Sequence, residues 1–209
     1  MTANRIVGLS FAALLLLPHA LTAQAWDAPT FFSPRPGEDL GIYAVKPDGE
    51  GDWGFMGIWR TEGNLNLGVR AGWLDGDAWM VGAEFHAPVD LTATGSGLLL
   101  SWVAGAGASF RDGYLQARVP VGISVGVQLG TQGLSVLPYV HPRLALDLRS
   151  YDLPGDREQT DADIRFDVDL GADAVLNEAF VLRVGATIGK DNTFGMGIAY
   201  RLPRRLVVR

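Results

Sequence analysis

From Leu65 onward the chain alternates apolar residues with small or polar ones at a period of two. At that spacing an extended backbone sends successive side chains to opposite faces of a sheet. Leu65, Leu67, Val69, Ala71 and Trp73 share one face; Asn66, Gly68, Arg70 and Gly72 take the other. Trp79, Val81, Ala83 and Phe85 repeat the pattern against Met80, Gly82, Glu84 and His86. Between the two runs, Asp75-Gly76-Asp77 is hairpin chemistry, because Gly and Asp tolerate positive φ. In the clearest run, Leu115, Ala117, Val119, Val121, Ile123, Val125, Val127 and Leu129 oppose Gln116, Arg118, Pro120, Gly122, Ser124, Gly126, Gln128 and Gly130.

Similar runs occupy residues 98–108, 134–149, 164–170, 180–188 and 194–202, with turns at Arg111-Asp112-Gly113 and Thr131-Gln132-Gly133 and an acidic loop over 151–163. Residues 39–45 and 53–60 have strand composition but are apolar on both faces. The reading is an all-β, closed antiparallel up-and-down transmembrane β-barrel over 39–202. It has about ten strands, or eight if the first two segments do not both span. Pro138 and Pro142 each remove a ladder donor, so the strand that holds them is expected to bend or to begin later.

The N-terminus indicates the compartment. A basic start ending in Arg5, an apolar run over 6–18 and Ala23-Gln24-Ala25 read as a secretory signal peptide over 1–25, cut after Ala25. A retained anchor needs roughly 20 apolar residues, more than this run supplies. Residues 26–38 then form an N-terminal periplasmic segment, and 203–209 a C-terminal tail. With no cysteine in the chain, disulfides, thiolate metal sites and thiol nucleophiles are excluded. A formal net charge of −6, with arginines mostly scattered singly, offers no basic run to follow a phosphate backbone, so nucleic acid is not an expected partner. After Pro18 no apolar stretch is long enough for a membrane helix, so a membrane-inserted mature chain enters as strands.

Alternation alone suits a soluble barrel as well as a membrane one. Three features favour the membrane. The polar faces are rich in Gly, Ala and Ser with isolated charges, which suits a crowded lumen. Trp73, Trp79, Phe110 and Tyr114, joined by Phe194, fall near one set of strand ends, and Phe180 and Tyr200 near the other, as in paired aromatic girdles. The outside is then the face of Val69, Val81, Val125, Val168, Val184 and Ile198. Last, Gly197, Tyr200 and Leu202 resemble the C-terminal β-signal of outer-membrane proteins, although Pro203 and six further residues follow where that family usually ends. At the level of the superfamily the chain resembles small bacterial outer-membrane β-barrel proteins, porin-like or OmpA- or OmpW-like. That resemblance implies the bacterial outer membrane as location and outer-membrane lipids as surroundings. It also implies periplasmic chaperones and the barrel-assembly machinery as partners during biogenesis, with a monomer the favoured state.

Facing the lumen on this reading are Arg70, Glu84, Arg118, Asp147, Arg149, Arg165, Asp167, Asp169, Arg183 and Arg201. In a narrow barrel they must pair with one another or line water. They form either a plug of ion pairs or a narrow channel that the excess of Arg biases toward anions. His86 and His141, with Ser135, lack the spacing that sets an acid, a base and a nucleophile together, so no enzyme and no cofactor are expected. The acidic residues Asp48, Glu50, Asp52, Asp152, Asp156, Glu158, Asp161 and Asp163 do not follow a calcium-loop spacing and read as solvated loops, with no metal site. Gly105-Ala106-Gly107 lies within a strand pattern with no helix after it, unlike a nucleotide loop. The expected role is structural or surface-interacting, with a charge-filled narrow lumen. A small passive porin-like channel is the alternative, and a barrel enzyme acting on envelope lipids or peptides comes third.

Overall fold

The computed structural model describes residues 28–47, 53–62, 66–74, 78–91, 97–131, 134–153 and 157–203. The leader 1–25, the turn 75–77, the acids Asp48, Glu50, Asp52 and Asp156, and the tail beyond Pro203 lie outside them. Within them are eleven strands: β1 (Asp39–Lys46), β2 (Gly54–Arg60), β3 (Asn66–Leu74), β4 (Ala78–Val89), β5 (Leu98–Arg111), β6 (Tyr114–Val127), β7 (Leu129–Thr131), β8 (Leu134–Leu153), β9 (Arg157–Val175), β10 (Phe180–Ile188) and β11 (Thr193–Arg201). Each pairs antiparallel with its neighbour in sequence except β6 and β7, which do not pair with each other; β11 pairs with β1 and β6 with β8, so the sheet closes on itself. β7 continues β6 past Gln128 in the same register along β8, with Gly126 opposite Tyr139 and Leu129 opposite Val136. The wall therefore has ten staves, and the eight-strand alternative falls away.

Both ends of the barrel, Asp39 and Arg201, are direct partners at one rim, the terminal rim. The C-terminal ends of β1, β3, β5, β8 and β10 lie at the opposite, hairpin rim. The nine residues of β10 or β11, at about 3.3 Å each and tilted ~40°, rise ~23 Å, close to the apolar band of a membrane barrel.

Two expectations about loops change. β8 runs through Pro138 and Pro142 without ending. The missing donors appear instead as gaps: the β6–β8 pairing skips Ile123 and Ser124 opposite Pro142 and His141, and β6 breaks at Gln128 beside the partner position of Pro138. Nor do the described residues of the acidic stretch 151–163 form a loop. β8 extends to Leu153 and β9 starts at Arg157, so Asp161 and Asp163 sit in a ladder opposite Arg149 and Asp147.

Polarity is inverted relative to a water-soluble barrel. Ile42 (69%) and Phe55 (61%) stand exposed on the outside, as does a continuous apolar surface that includes Val69, Val81, Val184 and Ile198. Inside, Asp39, Arg60 and Asp147 are fully buried. Phe55, Trp73, Trp79 and Phe110 are successive cross-strand partners near the hairpin rim. Near the terminal rim, Phe180, Tyr200, Leu40 and Trp59 form a second row of partners. Tyr114 does not join the upper row. Its parity matches Gln116, so it points inward, is buried, and donates to Gln116 Oε1 at 3.3 Å.

The largest correction concerns the segment before β1, expected outside the barrel in the periplasm. Residues 28–34 run inside the lumen, buried along their whole length. The segment makes no ladder, so Pro29 and Pro34 sacrifice no strand pairing there.

Candidate functional site

The lumen is where the chain concentrates its chemistry, and residues 28–34 thread its middle. Phe31 stacks on Tyr43 with ring centroids 4.4 Å apart. Phe32 meets His86 edge-on at 4.8 Å and lies under the Arg60 guanidinium, 5.0 Å from its ring centre. Ser124 donates to the Phe32 carbonyl at 2.6 Å. Gly195 makes this fit possible: a Cβ there would stand 2.7 Å from the tip of Phe31.

Around this thread the buried charges form three connected groups. Near the terminal rim, Arg183 reaches Asp39 at 2.6 Å and Asp173 at 3.1 Å and donates to the Tyr43 hydroxyl at 3.0 Å, while Ser33 donates to Asp173 at 2.9 Å. At mid-height, Asp169 accepts from Thr30 at 2.6 Å, Thr187 at 2.7 Å and Arg143 at 3.2 Å. Glu84 pairs with Arg60 at 2.9 Å and with Arg70, and both arginines donate to the Thr30 carbonyl. Toward the hairpin rim, Asp147 accepts from Arg118 at 2.5 and 2.7 Å, from Gln116 at 2.9 Å, and from Arg149 and Arg165 at 3.3 Å. Arg165 also meets Asp191 at 2.7 Å.

Nine of the ten residues read from the sequence as lumen-lining thus stand on the inner wall, with Asp167 between Arg143 (3.4 Å) and Arg165 (3.7 Å). The tenth, Arg201, lies at the terminal mouth. Sequence reasoning missed Asp39, Arg60, Arg143 and Asp173, although each shares the inward parity of its strand neighbours. It missed Thr30 and Ser33 for a different reason, since the segment that carries them has no period. Of the C-terminal residues, Gly197 packs beneath Tyr43, Tyr200 faces outward with its ring 5.5 Å from Phe180, and Leu202 N–H bonds the Glu38 carbonyl at 2.9 Å.

His141 comes closest to a catalytic arrangement. Its Nδ1 stands 2.9 Å from Thr30 Oγ1 and 3.4 Å from Asp169 Oδ2. A relay needs the hydroxyl on one ring nitrogen and the carboxylate on the other. Here one nitrogen faces both, so the group fastens the inner segment to the wall and does not form that relay. Among the described residues a cavity of about 90 Å³ lies beside Ala28, Arg70 and Arg118, and a mouth of about 1390 Å³ opens at the terminal rim.

No family model matches the chain, and no curated protein matches it. Among solved structures it is similar to the KdgM porin in complex with disordered oligogalacturonate, at 8% identity over 79% of this chain and 99% of that one, with a TM-score of 0.43. It is also similar to Neisserial surface protein A, NspA (13%; 78% and 96%; TM-score 0.37), and to the β domain of the Bordetella autotransporter BrkA (12%; 84% and 100%; TM-score 0.47). Likenesses this distant assign no function to the chain.

Proposed function

We propose that the chain is a bacterial outer-membrane β-barrel protein that closes its own lumen with residues 28–34 and serves a structural or surface-presenting role. One observation carries this reading: a closed barrel with an apolar outside has its interior filled by its own N-terminal segment and a paired charge network. An apolar outer surface belongs in lipid, where a closed barrel alone among sheets leaves no unpaired edge. On this reading the leader 1–25 is removed on export, the assembly machinery reads Gly197, Tyr200 and Leu202, and the hairpin rim faces the cell exterior. Catalysis is not part of it, because the two histidines of the lumen pack against the inner segment.

The test is membrane fractionation with carbonate washing, gel migration with and without boiling, and planar-bilayer recording on the purified protein. The expected results are retention in the outer-membrane pellet, a boiling-dependent shift and no conductance steps. Release by carbonate would remove the membrane assignment, and steady steps from the intact chain would remove the closed lumen.

A further inference from the structure

The cavity beside Ala28 has a floor of glycine and cationic sides. On the inner faces of β3 to β6, Arg70, Gly82, Gly107 and Arg118 are successive cross-strand partners, and Gly105 lies two residues from Gly107 on the same face. All of them line the cavity of about 90 Å³. A Cβ at Gly82 would stand 3.3 Å from the stem of Arg70, and one at Gly105 would stand 3.5 Å from Pro120, so the recess exists because these positions carry no side chain.

Its charge is one-sided. Among the described residues that line it, Arg70, Arg118 and Arg143 are cations and Glu84 is the one carboxylate; Asp147 and Asp169, which pair with Arg118 and Arg143, lie outside the lining. Arg70 and Arg118 keep 12% and 13% of their side-chain surface accessible, against 2% for Arg143. Ser109 and Gln116, themselves cross-strand partners, add a hydroxyl and an amide.

His141 supplies an independent mark of a ligand. The Thr30 hydroxyl gives its only hydrogen to Asp169, so Nδ1 carries the hydrogen of the 2.9 Å contact with Thr30 Oγ1. In the neutral ring Nε2 is then an acceptor. His141 is 1% exposed and Nε2 has no hydrogen-bond partner. That nitrogen lies against Gly122, where a Cβ would stand 2.6 Å away, and both residues line the cavity. A buried acceptor of this kind is costly until a donor reaches it.

We infer that the recess is a binding site for one small hydroxylated oxyanion of the hydrogen phosphate class. Its oxygens accept from Arg70, Arg118, Ser109 and Gln116, and its hydroxyl donates to His141 Nε2. Guanidinium groups suit such an anion because their planar fork matches a pair of its oxygens. The volume sets the size: about 90 Å³ takes a few water-sized groups and falls far below the roughly 300–1,000 Å³ of pockets for organic ligands. Chloride would match the charge but brings no hydrogen to Nε2.

The test dialyses the barrel, refolded in phosphate-free detergent buffer, against radiolabelled inorganic phosphate, with ionic strength held by sodium gluconate, an anion too large for the recess. It reads this site whether or not the lumen conducts. The expected result is one phosphate per barrel, bound roughly tenfold or more weakly by Arg118→Gln and by Ser109→Val, each shown folded by its boiling-dependent gel shift. Arg149→Gln loses the same partner, Asp147, but does not line the cavity, and is expected to bind like the parent. Binding no greater than that of empty micelles overturns the inference and leaves the recess to water. Unchanged affinity in either folded recess variant overturns it, as does an equal loss in Arg149→Gln, which would trace the effect to the Asp147 network. Displacement of phosphate by an equal concentration of chloride overturns it as well, because that marks a site for charge alone.

Discussion

Thr30 Oγ1 donates to Asp169 Oδ2 at 2.6 Å, joining residues 139 positions apart in the sequence at mid-height in the lumen. The bond ties the inner segment to the wall, and the same hydroxyl touches His141. Thr30→Val keeps the shape and removes the hydroxyl donor, which leaves Asp169 with Arg143, Thr187 and the backbone N–H of residue 30. The expected loss is about 1–3 kcal/mol, read as a lower urea midpoint of refolded protein in detergent micelles. Deleting 28–34 goes further: it is expected to turn a silent barrel into one with measurable single-channel steps.

Asp147 is the single acceptor shared by Arg118, Gln116, Arg149 and Arg165. Asp147→Ala removes the acceptor that these buried donors share and is expected to cost about 3–5 kcal/mol. Arg149→Ala removes the most exposed of the three arginines and is expected to cost about 1 kcal/mol or less. Equal effects in the same unfolding assay would show that the network is not centred on Asp147.

Ile123 and Leu129 face outward along one stave with nearly equal exposure, 48% and 51%, but Leu129 sits at the terminal rim. In lipid, Ile123→Arg is expected to cost about 2–4 kcal/mol and Leu129→Arg about 0–1 kcal/mol, because the penalty depends on depth. A soluble barrel would tolerate both alike. Refolding yields into vesicles separate the two cases.

Gly195 faces Phe31 so closely that a Cβ would press on the ring at 2.7 Å and on Val45 at 2.9 Å. Gly195→Val is expected to unseat the inner segment, lowering stability by about 1–3 kcal/mol and raising conductance. Gly57→Val, where a Cβ would find nothing closer than 3.9 Å, is the control with no new conductance.

The barrel was legible because period two is a local signal. β6 needs only its own residues to declare two faces, and the weakly patterned β1 and β2 were placed within a residue of their bounds. The charge network was legible only by parity: Asp147 and Arg183 announce an inward face, but not which partners cross the lumen. Residues 28–34 were not legible at all. Phe31 and Phe32 fall in the stretch expected in the periplasm, and their contacts come from β1, β4 and β8, which the sequence does not bring near. Tyr114 failed by a competing rule, since its place near a turn suggested a girdle while its parity sent it inward.

A closed wall parts first where its lacing is thinnest, and that place is not the seam between the first and last strands. β1 and β11 hold eight consecutive pairs without a gap. β6 is laced poorly along both edges: its pairing with β5 skips Val119 and Pro120, its pairing with β8 skips Ile123 and Ser124, and its line breaks again at Gln128. Three prolines, Pro120, Pro138 and Pro142, thus draw a fault line down one side of the cylinder. Deuterium uptake is expected to begin there while the β1–β11 seam stays protected, so that under tension the cylinder opens sideways, along a stave rather than at its ends.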